Sequence, residues 1–357
     1  MAGVGMLLDP MKMGREAESF EVQMRKRIVG QDEAVSQVVA VYQTFLAGFT
    51  GDRKPIGSFL LLGPTGCGKT RTVEAVAECL LGDSRAVIKI DCGEFQHSHE
   101  IAKLIGSPPG YLGHRETHPL LSQEMLNQYH TEQVKLSIVL FDEIEKASDA
   151  LWNLLLGILD KASLTLGDNR RVDFSRAMIF LTSNLGAGEM ESLVRPKLGF
   201  AAAEGTRTLA TVGKLSRVGL DAARRTFAPE FINRIDKTVV FSALGEPELR
   251  GILDLELESV RERMSRATNE PIAFTVSGAA RNLLLAEGTD SRYGARYLKR
   301  AIERLLVQPL SNLMASGQIQ AGDSLLVDFD PATSRLIFLK EKKETIAPGA
   351  AEKSMAA

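Results

Sequence analysis

One short stretch limits what this chain can fold into more than any other. Residues 58 to 63, SFLLLG, have the length and apolarity of a buried strand, and they run straight into GPTGCGKT, residues 63 to 70. Gly63, Gly68, Lys69 and Thr70 stand at the spacing GxxxxGK[S/T]. Glycines let a loop wrap a phosphate with its own N–H groups, and a helix that begins there aims the positive end of its dipole at the same place. Gly63, Pro64, Thr65, Gly66, Cys67, Gly68, Lys69 and Thr70 are therefore the candidate phosphate cradle. Lys69 would reach the outer phosphates and the Thr70 hydroxyl would ligate Mg²⁺. The competing reading is a glycine-rich turn without a ligand; the strand before and the helical pattern after speak against it.

A unit of this kind implies more strands beside it. AVIKID (86 to 91), SIVLFDE (137 to 143), AMIFLTSN (177 to 184) and TVVFS (238 to 242) are short runs, apolar on both alternating faces, as strands of a parallel sheet covered by helices are. Between them RTVEAVAECLLG puts Val73, Val76, Ala77, Leu80 and Leu81 on one helical face and stops at Gly82. SDALWNLLLGILD does the same with Leu151, Leu154, Leu155, Ile158 and Leu159, opening on Ser148 as its cap. The predicted fold class is α/β, with a five-stranded parallel sheet.

After FSALGEPEL the pattern changes. A long charged helix (about 246 to 268), the strand IAFTV, further helices and the pair SLLVDF and RLIFLK predict a smaller mixed α+β domain. The expected organisation is an N-terminal extension (1–23), a large nucleotide-binding domain (24–242), a small C-terminal lid domain (243–340) and a disordered tail (341–357). Residues 186 to 222, rich in Ala, Gly and Thr, read as a long connection of weak pattern.

Composition narrows the partners. At 357 residues and 44% hydrophobic the chain exceeds what one core holds, so two domains are expected. Lys plus Arg at 43 against Asp plus Glu at 45 gives a net charge of -2, so no bulk field argues for nucleic acid or an anionic membrane. The three cysteines, Cys67, Cys79 and Cys92, have no CxxC spacing and suit a reducing compartment. With no signal-peptide pattern and no long apolar run, the chain is expected in the cytoplasm.

Hydrolysis needs a second metal anchor and a group that orients water. IVLFDEIEKA offers both at a strand end: Asp142 to hold Mg²⁺ directly or through water, and Glu143 to polarise the attacking water. Alone, two such acids are equally a charge pair at a helix N-terminus. At the end of the next strand FLTSNLGA offers Asn184, whose amide would bridge water and γ-phosphate, or would simply form a turn.

Taken in order, RIVGQDEAV, PIGSFLLLGPTGCGKT, LIGSPPGYLG, IVLFDEIEKA, FLTSNLGA, FAPEFINRID and RYGARYLKRAIE closely resemble the Clp-type AAA+ protein unfoldases, specifically the second ATPase module of ClpB, ClpC and ClpA, over roughly residues 24 to 330. The resemblance implies ATP and Mg²⁺ as cofactors. It implies that Ile28 and Val29 line the adenine pocket, although by themselves they read as core residues before a helix. Asn184 would be the sensor of the γ-phosphate. Arg234 would be an arginine finger given to a neighbouring subunit, where the residues alone allow a surface Arg paired with Asp236 or Glu230. Arg296 would be the sensor arginine that the small domain lays over the nucleotide. Gly110, Tyr111, Leu112 and Gly113 resemble a pore loop whose aromatic grips an extended polypeptide; a loop aromatic otherwise staples its own surface. Leu198, Gly199 and Phe200 fall where protease-coupled members carry a docking tripeptide for a ClpP-type peptidase, or they pin the loop to its own domain.

The implied function is an ATP-dependent protein unfoldase and remodelling chaperone. It would act as a homo-hexamer that threads protein substrates through a central pore and feeds a peptidase or works with an adaptor. The alternative is an ATP-binding switch or adaptor that assembles with a larger Clp ring without threading. Within these 357 residues there is no recruiting N-terminal domain, first ATPase module or coiled-coil insertion, so a stand-alone single module is expected. The family's GGQL after the pore loop is replaced by THPLLSQEMLNQYHTEQVKL.

Overall fold

The computed structural model describes residues 8–51, 53–107, 119–194, 209–268, 273–289 and 294–341. They fall into two compact units, one running to Glu248 with Gly294 and the other from Leu249 onward.

In the first unit the chain passes through α1 (Arg15–Arg27), α2 (Asp32–Leu46), β1 (Gly57–Leu62), α3 (Lys69–Leu81) and β2 (Ile88–Asp91). Short helices α4 (Ala102–Ile105) and α5 (Gln123–Asn127) lead to β3 (Ser137–Asp142) and α6 (Asp149–Lys161). A hairpin of β4 (Ser163–Thr165) and β5 (Arg171–Asp173) precedes β6 (Ala177–Ser183), α7 (Ala187–Val194), α8 (Leu209–Thr226), α9 (Pro229–Ile232) and β7 (Lys237–Val240). The five expected strands pair in parallel in the order β2-β3-β6-β1-β7.

The continuous apolar runs follow from burial on both faces. Every residue of β1 and β6 is buried. Leu60, Leu62, Val139, Phe141, Ile179 and Leu181 face one core, which α6 seals with Leu151, Leu155 and Ile158. Phe59, Leu61, Ile138, Leu140, Met178 and Phe180 face the other, under Val35, Val38, Val73 and Val76 of α2 and α3. Phe59 and Phe180 stack there with ring centroids 4.8 Å apart. Helix α1 begins inside the segment read as an extension, and its Ala17, Phe20 and Met24 belong to this second core.

Two local expectations differ from the structure. Ser148 takes the backbone geometry of an N-cap, yet its hydroxyl makes no cap bond; its own N–H instead donates to the Phe95 carbonyl at 2.9 Å. The stretch read as a weak-pattern connection carries α7 and most of α8. Small residues serve close packing there: a Cβ on Gly219 would stand 2.6 Å from the Met190 side chain and 3.1 Å from that of Val240, so α8 lies directly on α7 and β7.

The second unit holds most of α10 (Glu246–Thr268), then β8 (Ala273–Val276), α11 (Gly278–Gly288), α12 (Ala295–Ile302), a π-helical turn at Glu303–Val307, α13 (Gln308–Ala315), β9 (Ser324–Asp330) and β10 (Arg335–Glu341). Its sheet is mixed, β8 parallel and β10 antiparallel to β9, as the sequence predicts for a smaller α+β domain. Leu253, Leu257, Val260 and Met264 form the buried stripe of α10. No described helix is long and apolar enough to cross a membrane.

Candidate functional site

In an open parallel sheet, ligands bind beyond the carboxyl ends of the strands, where the order reverses. Here β1, β3 and β6 end side by side in Gly63, Asp142 with Glu143, and Asn184. The loop after β1 needs its glycines. Gly63, Gly66 and Gly68 have φ of 149°, 77° and 104°, which side-chain-bearing residues rarely adopt. A Cβ on Gly63 would also stand 2.6 Å from the Phe241 carbonyl oxygen, whereas one on Gly68 would meet nothing within 4 Å. The requirement is thus sterically tight at the loop's entrance and purely conformational at the helix start.

Lys69 opens α3 and is buried, a costly place for an ammonium unless it is fully bonded. Its Nζ donates to the carbonyls of Gly63 (2.6 Å) and Pro64 (2.9 Å) and to Asn184 Oδ1 (3.0 Å). The Asn184 amide donates in turn to Glu143 Oε1 at 3.1 Å, and its backbone N–H donates to Glu145 Oε1 at 3.0 Å. Thr65 Oγ1 lies 3.5 Å from Asn184 Oδ1. Strand ends far apart in sequence thus converge on one asparagine.

Glu143 adopts left-handed backbone geometry, φ 59° and ψ 51°, unusual for a non-glycine residue and found at functional turns. Its N–H donates to Thr182 Oγ1 (3.0 Å) and its Oε2 pairs with Lys146 Nζ (2.5 Å). That bond to Glu143 raises the Lys146 pKa.

Both Asp142 oxygens are engaged, Oδ1 by the Thr182 hydroxyl at 2.5 Å and Oδ2 by Lys89 Nζ at 2.8 Å. Burial pushes the Asp142 pKa up. The bonds from Lys89 and Thr182, with the charges of Lys89 and Lys69, outweigh it and hold the carboxyl below its ordinary value. The neighbouring Cys92 thiol is pushed up by burial and by the acids around it, Asp142 first, which keeps it protonated and inert.

These residues fit a nucleotide with Mg²⁺. Thr70 and a carboxylate kept ionised are hard oxygen donors. Among the described residues no group of three or more His, Cys, Asp or Glu could form a metal cage. In nucleotide sites Mg²⁺ takes one or two protein oxygens, with phosphate oxygens and water as its other ligands.

The other expected residues are spread more widely. Ile28 and Val29 follow α1 half-buried, Ile28 against the core under the sheet. Arg234 pairs with neither expected acid side chain. Its Nε stands 3.2 Å from Asp160 Oδ1 at the end of α6, and its Nη1 donates to the Glu230 backbone carbonyl at 2.9 Å. Asp236 instead accepts from Ser58 N and Oγ at 2.9 and 2.7 Å. Arg296 lies on α12 of the second unit with its side chain exposed. Gly110, Tyr111, Leu112 and Gly113, and Leu198, Gly199 and Phe200, lie outside the described residues.

Sequence reading missed four contributors. Gln31, buried, donates from Nε2 to the carbonyls of Cys67 (3.0 Å) and Ser242 (2.9 Å), tying the phosphate loop to the chain after β7. The pattern RIVGQ contained it, but nothing there marks a glutamine as a brace. Lys89, Lys146 and Trp152 are the others. Trp152, the chain's one tryptophan, donates from Nε1 to the Ile144 carbonyl (3.1 Å) just behind Glu143 and packs on Phe227 and Phe231.

A strand-loop-helix phosphate cradle, acids at the next strand's end and a polar sensor beyond them define a P-loop nucleoside triphosphatase of the α/β class. Residues 54–238 match the family described as AAA domain (Cdc48 subfamily), and the chain belongs to that family. Residues 244–327 match the C-terminal, D2-small domain of ClpB protein. The chain is 38% identical over 314 residues to the chaperone protein ClpB of Bdellovibrio bacteriovorus, covering 88% of this chain and 34% of that one. It is 38% identical over 312 residues to the chloroplastic chaperone protein ClpC3 of Oryza sativa subsp. japonica, covering 87% of this chain and 32% of that one. To the ATP-dependent Clp protease ATP-binding subunit ClpC of Staphylococcus aureus it is 35% identical over 333 residues, covering 93% and 39%. The chain thus spans between about a third and two-fifths of these relatives' lengths. A closed-state cryoEM reconstruction of Hsp104 with ATPyS and FITC casein matches 91% of this chain and 52% of its own, at 27% identity and a TM-score of 0.73.

Proposed function

We propose that this chain hydrolyses ATP and uses the cycle to remodel protein substrates as one module of a homo-hexameric ring. The observation that carries the reading is the relay Lys69–Asn184–Glu143. The carboxylate stands one asparagine away from the lysine of the phosphate cradle, which supports Glu143 as the group that orients the attacking water.

In this reading the backbone N–H groups of residues 63 to 70 and the Lys69 ammonium bind the phosphates. Ile28 and Val29 flank the base. Thr70 and Asp142 would hold Mg²⁺, which would supply positive charge to the phosphates. Glu143 orients and polarises water, taking its proton at a carboxylate oxygen, while Asn184 reports the outer phosphate to the strand end through Glu143 and Glu145. Arg234 serves a neighbouring subunit's nucleotide, and Arg296 couples nucleotide state to the small domain. A pure ATP-binding switch or adaptor has no use for the water-orienting acid or for an arginine given in trans.

Threading past Tyr111, with Gly110, Leu112 and Gly113 shaping its loop, and peptidase docking through Leu198, Gly199 and Phe200 belong to the same reading. The test is ATP hydrolysis and unfolding of a tagged, stably folded reporter by the wild type and by Tyr111→Ala. We expect Tyr111→Ala to keep hydrolysis and lose unfolding. Unfolding that survives the substitution contradicts threading by this loop.

A further inference from the structure

The carboxylate proposed to anchor Mg²⁺ already holds a cation belonging to the protein. Lys89 on β2 stands opposite Leu140 in the parallel pairing of β2 with β3, and it reaches diagonally along β3 to Asp142 Oδ2 at 2.8 Å. The Thr182 hydroxyl occupies Oδ1. The acid is 18% exposed and the lysine side chain 51%, so one partner is fixed while the other is a flexible, well-hydrated ammonium on an edge strand. Asp91, opposite Asp142 in register, is turned to accept from the Gly93 N–H at 2.9 Å and leaves the Lys89 pair undivided.

We propose that Lys89 is an internal competitor of Mg²⁺ for Asp142, setting the Mg²⁺ concentration at which this chain takes up nucleotide with its metal. The pair with Lys89 and the bond from Thr182 fix where the Asp142 carboxylate points. When Mg²⁺ arrives, the ammonium swings to solvent at little cost, and the displaced pair raises the concentration of metal required. Lys89 is thus a positioning residue acting through Asp142, and this role rests on the reading of Asp142 as the metal anchor.

The experiment is a Mg²⁺ titration of fluorescent ADP and ATP-analogue binding by the full chain, with EDTA controls and melting curves for each variant. Lys89→Met removes the charge and keeps the stem, Lys89→Arg keeps the charge, and Lys89→Gln serves where the methionine variant does not fold. We expect the half-saturating Mg²⁺ to fall about three- to tenfold in Lys89→Met. It should stay within about twofold of wild type in Lys89→Arg, as a competing charge requires. An unchanged or raised midpoint in Lys89→Met overturns the proposal. Asp142→Asn separates the two readings. If it keeps the wild-type Mg²⁺ dependence, the anchor reading fails and the Lys89 proposal with it. If it loses that dependence while Lys89→Met does not shift the midpoint, only the Lys89 proposal fails.

Discussion

Asp142 shows how much of the site is decided by partners from other strands. Its carboxyl lies below the ordinary value of 3.8 because the bonds from Lys89 and Thr182 outweigh desolvation. For a carboxylate depressed in the folded state, the stabilising contribution is complete above the ordinary value and is lost as pH falls through the lower folded one. Asp142→Asn should therefore flatten the loss of stability with acid. Denaturant melts from about pH 5 down to pH 2 check this, and equal steepness in both proteins would refute the ion-pair account. The acids at a strand end, the glycines and Lys69 stood out in the sequence because their pattern depends on local spacing, whereas Asn184 by itself read equally as a turn former and drew its sensor role from the family resemblance. Lys89, Lys146 and Gln31 did not stand out. Lys89 acts across strands, Lys146 through the left-handed turn at Glu143 and Gln31 through the carbonyls of two loops, and no periodicity encodes any of these.

Among the elements, the five-stranded sheet was readable because burial on both faces writes itself as unbroken apolar runs. Helix α8 was passed over on composition, because its packing face uses Gly219, Ala222 and Ala223, small residues that read as a linker and here serve close approach. The entrance to the phosphate loop makes a sharper test of such closeness. A Cβ at Gly63 would stand 2.6 Å from the backbone oxygen of Phe241, which cannot swing aside as a side chain would. Gly63→Ala should lower stability by about 1–3 kcal/mol and weaken nucleotide binding, read by denaturant melts and fluorescent-nucleotide titration. Wild-type values in both would show that the loop relaxes freely. Helix α6 ties the two ends of the proposed chemistry together. Trp152 near its start bonds the carbonyl behind Glu143, and Asp160 at its end holds Arg234.

At the scale of the whole molecule, hydrolysis in the proposed ring requires residues that meet across subunits. Arg234, held by Asp160 and a backbone carbonyl, with a side chain 32% exposed, suits a group waiting for a phosphate it does not own. Arg234→Ala should bind nucleotide normally while hydrolysis drops by about 10³ or more. Mixing it with Glu143→Gln should restore part of the rate, since each supplies what the other lacks. No recovery in mixtures that co-assemble by sizing would argue that the arginine acts in cis.

The most direct measurement is single-turnover hydrolysis of labelled ATP, wild type against Glu143→Gln, with bound nucleotide quantified in parallel. The account predicts that wild type converts its bound ATP to ADP, while Glu143→Gln retains ATP at similar occupancy and hydrolyses it about 10²–10⁴-fold more slowly. Equal rates in the two proteins would contradict the assignment of Glu143 as the group that activates water, and with it the central claim.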